Sequence, residues 1–235
     1  MIYLLEGEDN LIGCTDFCET AKADGKEIVA SQMSVNIEKI FSMDPDVVIT
    51  TTLTSSRDIE ALNNLGLNVK TFTSPSSFDE LCEQFIKMGE LIGKGNFGRK
   101  IVNREKQRLD SLQQLIPQSK KPKIFMQLGV KPLFSVTPGT FMNDYITYSG
   151  GVNIAEGMSK GTITRETVLV RNPDVILIVL MGLVGKEEKQ NWQNYSGLKA
   201  AENDKIYLVD ADKACSPTPV TFVDTVEEII KFVYL

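Results

Sequence analysis

Two glutamates occupy matching places in this chain. Glu38 lies in Asn36-Ile-Glu-Lys-Ile-Phe-Ser-Met-Asp-Pro-Asp-Val-Val-Ile, and Glu166 in Thr164-Arg-Glu-Thr-Val-Leu-Val-Arg-Asn-Pro-Asp-Val-Ile. Each stands seven residues ahead of the proline of a Pro-Asp pair, Pro45-Asp46 or Pro173-Asp174. A carboxylate repeated in one frame suits two roles. It can offset the positive end of a helix, or it can meet a cationic partner at a wet surface and orient it. Hydroxyls gather in Thr50-Thr-Thr-Leu-Thr-Ser-Ser56 and are followed by Arg57, a set able to hydrogen-bond a polar or anionic guest. Other chemistries lack their residues. The 235 residues include no histidine, which removes the commonest general base and transition-metal ligand. Cys14 and Cys18 are four apart, and neither they nor Cys82 and Cys215 form a CxxC pair or a zinc pattern. Reduced, packed thiols are one reading of them; a cleft thiol at Cys18 or Cys215 is the other. Gly93-Lys-Gly-Asn-Phe-Gly98 matches the dinucleotide fingerprint by letter, but it follows a helical pattern instead of a strand and is rejected. No P-loop or nucleophile elbow occurs. No catalytic set, metal site or cofactor is therefore expected.

The elements behind these residues are legible from their periodicity. In each copy of the repeat, Asn36 or Thr164 can cap a short helix, proline stops it, and an unbroken apolar run follows. Those runs, Val47-Val48-Ile49 and Val175-Ile176-Leu177-Ile178-Val179, predict parallel strands covered on both faces. The fold class expected is α/β, with two doubly wound lobes and mainly parallel sheets joined by a single long helix. The boundaries are an N-terminal lobe over 1–96, a connecting helix over 97–117 ended by Pro117, and a C-terminal lobe over 118–235. At ~1.5 Å per residue the helix is about 30 Å long. In the second half, 181–185 reads as a strand-end loop, 187–195 as an outer polar helix bearing Trp192, and 210–219 as a loop. Net charge is −6, which argues against nucleic acid. No apolar run reaches the ~18 residues of a membrane helix.

Taken in order, the two repeat copies, Lys123-Ile-Phe-Met-Gln-Leu-Gly, Ser149-Gly-Gly-Val-Asn-Ile and Ser216-Pro resemble the ABC-transporter substrate-binding proteins of the cobalamin and ferric-siderophore class. The resemblance runs over nearly the whole chain. It implies a component that holds a ferric siderophore, cobalamin or haem-like metal complex between its lobes and delivers it to an ABC permease. It gives Glu38 and Glu166 a role in docking to that permease. It implies ligand contacts from Phe17, Met33, Thr51, Thr52, Ser55, Arg57, Phe134, Met181, Asp212 and Lys213. The cobalamin-binding members use tryptophans near Gln32, Met33 and Lys160, so a less aromatic pocket is expected here. The family places a strand and loop ahead of the helix that Met1-Ile-Tyr-Leu-Leu-Glu-Gly7 matches, so the first lobe is expected to lack one strand and the native protein to begin earlier. A monomer outside the cytoplasm, membrane-associated through an upstream signal or lipid anchor, is the expectation. A cytoplasmic protein follows if Met1 is the true start. A transport-independent ligand sensor of the same fold and a nucleotide-dependent enzyme are the alternatives.

Overall fold

The computed structural model describes residues 1–31, 34–118, 121–180 and 182–234. By their packing these form two units. The first comprises Met1–Ser74 and Lys87–Phe97, the second Pro75–Ile86 and Gly98–Leu235. Each is an α/β body.

The first unit opens with a single 3-10 turn, Ile2–Leu5, closed by Glu6 in the left-handed region. Then come β1 (Gly13–Thr15), α1 (Glu19–Ala23), β2 (Glu27–Ala30), α2 (Ile37–Ser42), β3 (Val48–Thr51), α3 (Ser56–Asn64) and β4 (Val69–Phe72). β1 and β2 pair in parallel, and so do β3 and β4, but these are two separate two-stranded sheets. Thr50 and Thr71 share a hydroxyl–hydroxyl bond of 2.9 Å across β3 and β4. Helix α4 (Phe78–Leu91) begins in the second unit and ends in the first. Gly93, in the left-handed region, breaks it from α5 (Gly95–Gln114). The glycine-rich stretch is thus a helix–helix break, as its position after a helical pattern predicts. Most of α5, from Gly98, packs in the second unit.

The second unit continues with β5 (Lys123–Val130), β6 (Leu133–Ser135), α6 (Phe141–Tyr148), β7 (Val152–Asn153), α7 (Arg165–Arg171) and β8 (Val175–Ile178). It ends with α8 (Gly182–Gln193), α9 (Lys199–Glu202), β9 (Ile206–Leu208), α10 (Ala211–Cys215) and α11 (Pro219–Tyr234). One five-stranded sheet runs β6-β5-β8-β9, with β7 added to β5. Every pairing in it is parallel except β5–β6. Alternate residues of a strand face opposite sides, and both sides are covered here. Phe125, Ile176 and Ile178 face a core that includes Val168, Trp192, Leu198 and Ala200. Beside α6, the Cδ1 of Ile124 lies so close to Gly151 that a Cβ there would come within 2.4 Å of it. The rings of Phe78, Phe222 and Tyr145 stack at 4.3 and 4.4 Å, tying α4, α11 and α6 together.

The two copies of the repeat fold alike locally and are buried very differently. Both short helices are stopped by a non-glycine residue in the left-handed region, Asp44 and Asn172, placed directly before the proline. The stop therefore comes one residue earlier than proline alone would set it. All of β8 is buried, with Ile176, Leu177 and Ile178 at 0% exposure. β3 departs from the expected two-sided burial, because Ile49 is 37% exposed. The cause is topological. β8 has strand neighbours on both edges, whereas β3 has β4 on one edge and a cavity of about 460 Å³ on the other side.

A polar cluster fastens α5 to α11. Glu105 is buried at 2% exposure on a helix whose charged residues otherwise read as a solvated face. It accepts from Arg104 at 2.7 Å and from Arg108 at 3.4 Å. Arg108 also donates to Asp224 at 2.6 Å and to Glu227. Lys231 and then Arg108 hold the Glu227 carboxyl below its usual range.

Two outcomes are expected from this packing. Leu177→Ala lowers unfolding free energy in urea by about 2–5 kcal/mol, and Ile49→Ala by less, about 1–2 kcal/mol, since more than a third of that residue is already exposed. Because the folded pKa of Glu227 is depressed, its contribution is present above the unfolded value of ~4.3 and is lost as pH falls through the folded value. Urea midpoints measured from pH 5 to 3 should fall, and the fall should be shallower in Lys231→Met and in Arg108→Met.

Candidate functional site

In a parallel α/β unit, loops at the C-terminal ends of the strands carry ligand chemistry. Each unit presents such a surface. In the first, β1 ends in the turn bearing Phe17, which is 65% exposed. β3 ends at Thr51. Its hydroxyl accepts from the Leu53 N–H at 3.3 Å, and its own N–H donates to the Thr54 hydroxyl at 3.4 Å. Ser55 caps α3, accepting from the Asp58 N–H at 3.1 Å and donating to its carboxylate at 2.8 Å. Half of the hydroxyls in this loop are therefore holding the loop's own shape. Thr52 and Arg57 are exposed. Leu53, at the loop tip, is 92% exposed, the most exposed large apolar side chain among the described residues. Sequence reasoning passed over it. The signal was available: a lone leucine among hydroxyls in a loop has no core to reach. Cys18 lies at the start of α1 and lines the first unit's cavity together with Cys14, Thr15 and Thr54.

In the second unit, Phe134 is on β6 and 40% exposed. Its ring lies against Gly161, where a Cβ would come within 2.4 Å of the ring edge. Any side chain at 161 would displace the phenyl group. Asp212 and Lys213 are exposed, but they do not sit in the expected open loop. They form the first turn of α10, capped by Asp210, whose carboxylate accepts from both their N–H groups at 2.9 and 3.2 Å. The expected strand-end loop over 181–185 is likewise helical from Gly182 onwards. In that turn Leu183 and Val184 are 75% and 51% exposed, a second apolar strand-end feature that sequence reasoning missed. Met33 and Met181 lie outside the described residues. Cys215 is exposed at the end of α10. Among the described residues, no group of three or more His, Cys, Asp or Glu is arranged to hold a metal.

Glu38 and Glu166 occupy equivalent local settings. Glu38 is exposed in the first turn of α2, capped by Asn36 accepting from the Lys39 N–H at 2.9 Å. Lys39 ties that turn to β2 through Glu27 at 2.6 Å and the Ile28 carbonyl at 3.1 Å. Glu166 is exposed in the first turn of α7, capped by Thr164 accepting from the Thr167 N–H at 3.2 Å. Its own backbone N–H and then the Thr164 hydroxyl hold its carboxyl below the usual range. Both carboxylates stand on turns in which the N-cap side chain already satisfies an orphan N–H.

Beneath Glu166 lies a buried polar network. Gln127 on β5 is 0% exposed, donating to Glu188 at 2.9 Å and accepting from the Trp192 indole N–H at 2.7 Å. Glu188, 1% exposed, accepts from Arg165 at 2.6 Å and from Asn191 at 3.3 Å. The Arg165 guanidinium also stands over the Trp192 ring, 4.6 Å from its centroid. Trp192 is therefore a core residue at 0% exposure, on the buried face of a helix whose other residues are mostly exposed. The other terminal nitrogen of Arg165, Nη1, is buried without a partner, and Arg165 lines a recess of about 420 Å³ with Asn191, Asn194 and Tyr195. This network fixes the N-terminus of α7, and with it Glu166, against α8 and the sheet.

Removing one partner of a buried charge pair typically costs about 3–5 kcal/mol. Glu188→Ala is therefore expected to lower unfolding free energy by about that much in urea, and to speed amide exchange at the first turn of α7. Glu166→Ala should do neither.

A family model described as periplasmic binding protein matches residues 1–213. A vitamin B12-binding protein of Vibrio cholerae is 26% identical over 228 residues, covering 95% of this chain and 81% of that protein. An uncharacterised ABC transporter substrate-binding lipoprotein of Bacillus subtilis is 26% identical over 242 residues, covering 99% of this chain and 76% of that one. Among solved structures, the periplasmic vitamin B12-binding protein of Vibrio cholerae superposes with a TM-score of 0.79 at 26% identity, covering 99% of this chain and 91% of that one.

Proposed function

The chain belongs to the periplasmic binding protein family, and from that premise we propose that it is the substrate-binding component of an ABC importer for a metal complex. The guest is a cobalamin, a ferric siderophore or a haem-like complex. Each unit offers such a guest its own strand-end turns, the first Phe17 and Leu53 for apolar parts with Thr52 and Arg57 for polar or anionic parts, the second Phe134 and Leu183 with Lys213. Binding is the whole of the task. The sequence holds no histidine, and the Ser55 hydroxyl that meets the Asp58 carboxylate also caps α3. The protein works outside the cytoplasmic membrane, in the periplasm or held at the membrane surface, in keeping with the lipoprotein among its relatives. No described helix is long and apolar enough to cross a membrane.

The observation that carries this reading is the duplicated carboxylate. Glu38 and Glu166 are each exposed, each on the first turn of a capped helix, and each set in the same sequence frame in a different unit. A helix-end role alone would account for either one. A pair kept in register in two units that otherwise differ in burial is better accounted for by one partner that reads both. That partner is the permease, through cationic side chains. Exposed charge pairs steer and orient more than they add affinity.

Two results are expected. Replacing both carboxylates, Glu38→Arg with Glu166→Arg, leaves the dissociation constant for the metal complex within about twofold by calorimetry and abolishes uptake into proteoliposomes bearing the permease; undiminished uptake overturns the docking role. In a panel of cobalamin, haem and ferric siderophores, one class binds, and if it is anionic then Arg57→Ala and Lys213→Ala each weaken it about tenfold. Binding of none of these overturns the reading.

A further inference from the structure

The two glutamate-bearing helices share a second feature, and neither burial nor helix propensity accounts for it. Of the seven residues of α7, only Glu166 and Val170 are exposed. Val170 is 85% exposed, more than any other large apolar side chain among the described residues of the second unit. Of the six residues of α2, Glu38, Phe41 and Ser42 are exposed, with Phe41 at 51%. Both apolar residues stand within helices, not on the strand-end turns that face a guest. A solvated helix face is ordinarily polar or charged. Valine and phenylalanine are also weaker helix formers than the straight-chain residues that usually fill such positions.

Helical spacing sets each apolar residue beside its glutamate. Val170 comes four residues after Glu166 and Phe41 three residues after Glu38. Each pair therefore shares one helix face, with Cβ atoms about 5–6 Å apart. The register differs by one for a reason visible in the packing. Three residues after Glu166 is Leu169, which packs partly buried against the core of the second unit. Four residues after Glu38 is Ser42, whose hydroxyl donates to the Lys39 carbonyl at 2.8 Å. Each helix thus has one outward apolar place beside its acid, and fills it from the position that its own packing leaves free. A cationic side chain drawn up to either carboxylate must bring its surroundings over that neighbour.

We propose that Phe41 and Val170 are apolar anchors of permease docking, each seated against aliphatic or aromatic side chains that flank the permease's cation. The inference rests on the docking role proposed above for Glu38 and Glu166. The glutamates steer and orient. The apolar residues lose water on contact and hold the complex once it has formed. The acids decide the occupant. A second copy of this chain using the same face would set glutamate against glutamate, because a two-fold interface pairs a patch with itself. Like charges across an interface repel, and an anionic lipid surface would repel these carboxylates too. A cationic patch with apolar flanks attracts both members of each pair.

The test measures Val170→Gln and Phe41→Gln against the permease that supports uptake in the proteoliposome assay, reconstituted in nanodiscs. Association and dissociation rates are read by interferometry at about 50 and about 300 mM salt. Each substitution is expected to raise the dissociation rate about five- to tenfold at both salt concentrations and to leave association within about twofold. Val170→Leu and Phe41→Leu keep the wild-type dissociation rate within about twofold, as an apolar contact requires. Glu38→Gln with Glu166→Gln instead slows association and flattens its salt dependence. Unchanged dissociation in both apolar-to-glutamine variants, with association still slowed in the glutamate variant, would overturn the anchors and leave the docking role standing. No change in any of these variants would overturn both. Dissociation quickened as much by leucine as by glutamine would mean a structural effect and would overturn the anchors. Dimers of the free chain in light scattering, abolished by the glutamine variants, would assign the face to a second copy and would overturn them too. Should Phe41→Gln lower the thermal midpoint, Val170→Gln decides the outcome, since a side chain 85% exposed contributes little to folding.

Discussion

A strand at the centre of a parallel sheet has four demands: a hydrogen-bonded neighbour on each edge and an apolar cover on each face. The second unit meets all four at β8, which lies between β5 and β9 and is buried throughout. Because that strand is immobilised, the turns at its ends are placed reproducibly, and so are the helices that pack on it. The first unit meets fewer of the demands at β3. Ile49, more than a third exposed, stands beside a cavity where β8 has a strand neighbour. Matching sequence frames thus give one strand paired on both edges and one paired with β4 beside a cavity. The strand residues contribute as well, since β3 ends in Thr50 and Thr51 where β8 is apolar throughout.

The polar interior follows the same logic. A buried Gln127 at the end of β5 would be costly alone. It is tolerated because the Trp192 indole, the Glu188 carboxylate and the Gly129 carbonyl satisfy its amide. Glu188 is tolerated in turn because Arg165 and Asn191 answer it. The chain of partners ends one residue from Glu166. A surface carboxylate meant to meet a partner gains from a rigid base, since orientation is most of what an exposed charge pair supplies. In the first unit the matching turn is held more lightly, by Lys39 bonded to an exposed Glu27 and to the backbone of β2. The two glutamate-bearing turns are therefore alike in sequence and held by unequal sets of contacts.

Several features were readable before any coordinates. The caps Asn36, Thr164 and Ser55 act as their types suggest. The apolar runs became strands, and the glycine-rich stretch became a helix break. Others were not. The helix around Trp192 reads as polar because its buried face needs only Gly185, Glu188 and Trp192. Two of those three are a glycine and a charged residue, and neither is counted as core by any hydropathy pattern. Glu105 drew no notice for the same reason: an ion-paired interior carboxylate has the same letter as a solvated one. The exposed Leu53, Leu183 and Val184 were passed over because an apolar residue is taken for core until the fold shows that nothing covers it.

By itself the sequence determined the α/β class, the internal duplication, the matched glutamates and the absence of histidine chemistry. All of these rest on spacing, propensity and composition, which are local and survive without a fold. Only the tertiary structure decided which copy of the repeat is buried, which hydroxyls are spent on their own loop, where Trp192 and Glu188 point, and that a cavity opens beside Ile49. Those are properties of neighbours distant in the chain, and burial and pairing are set by such neighbours instead of by the residue that experiences them.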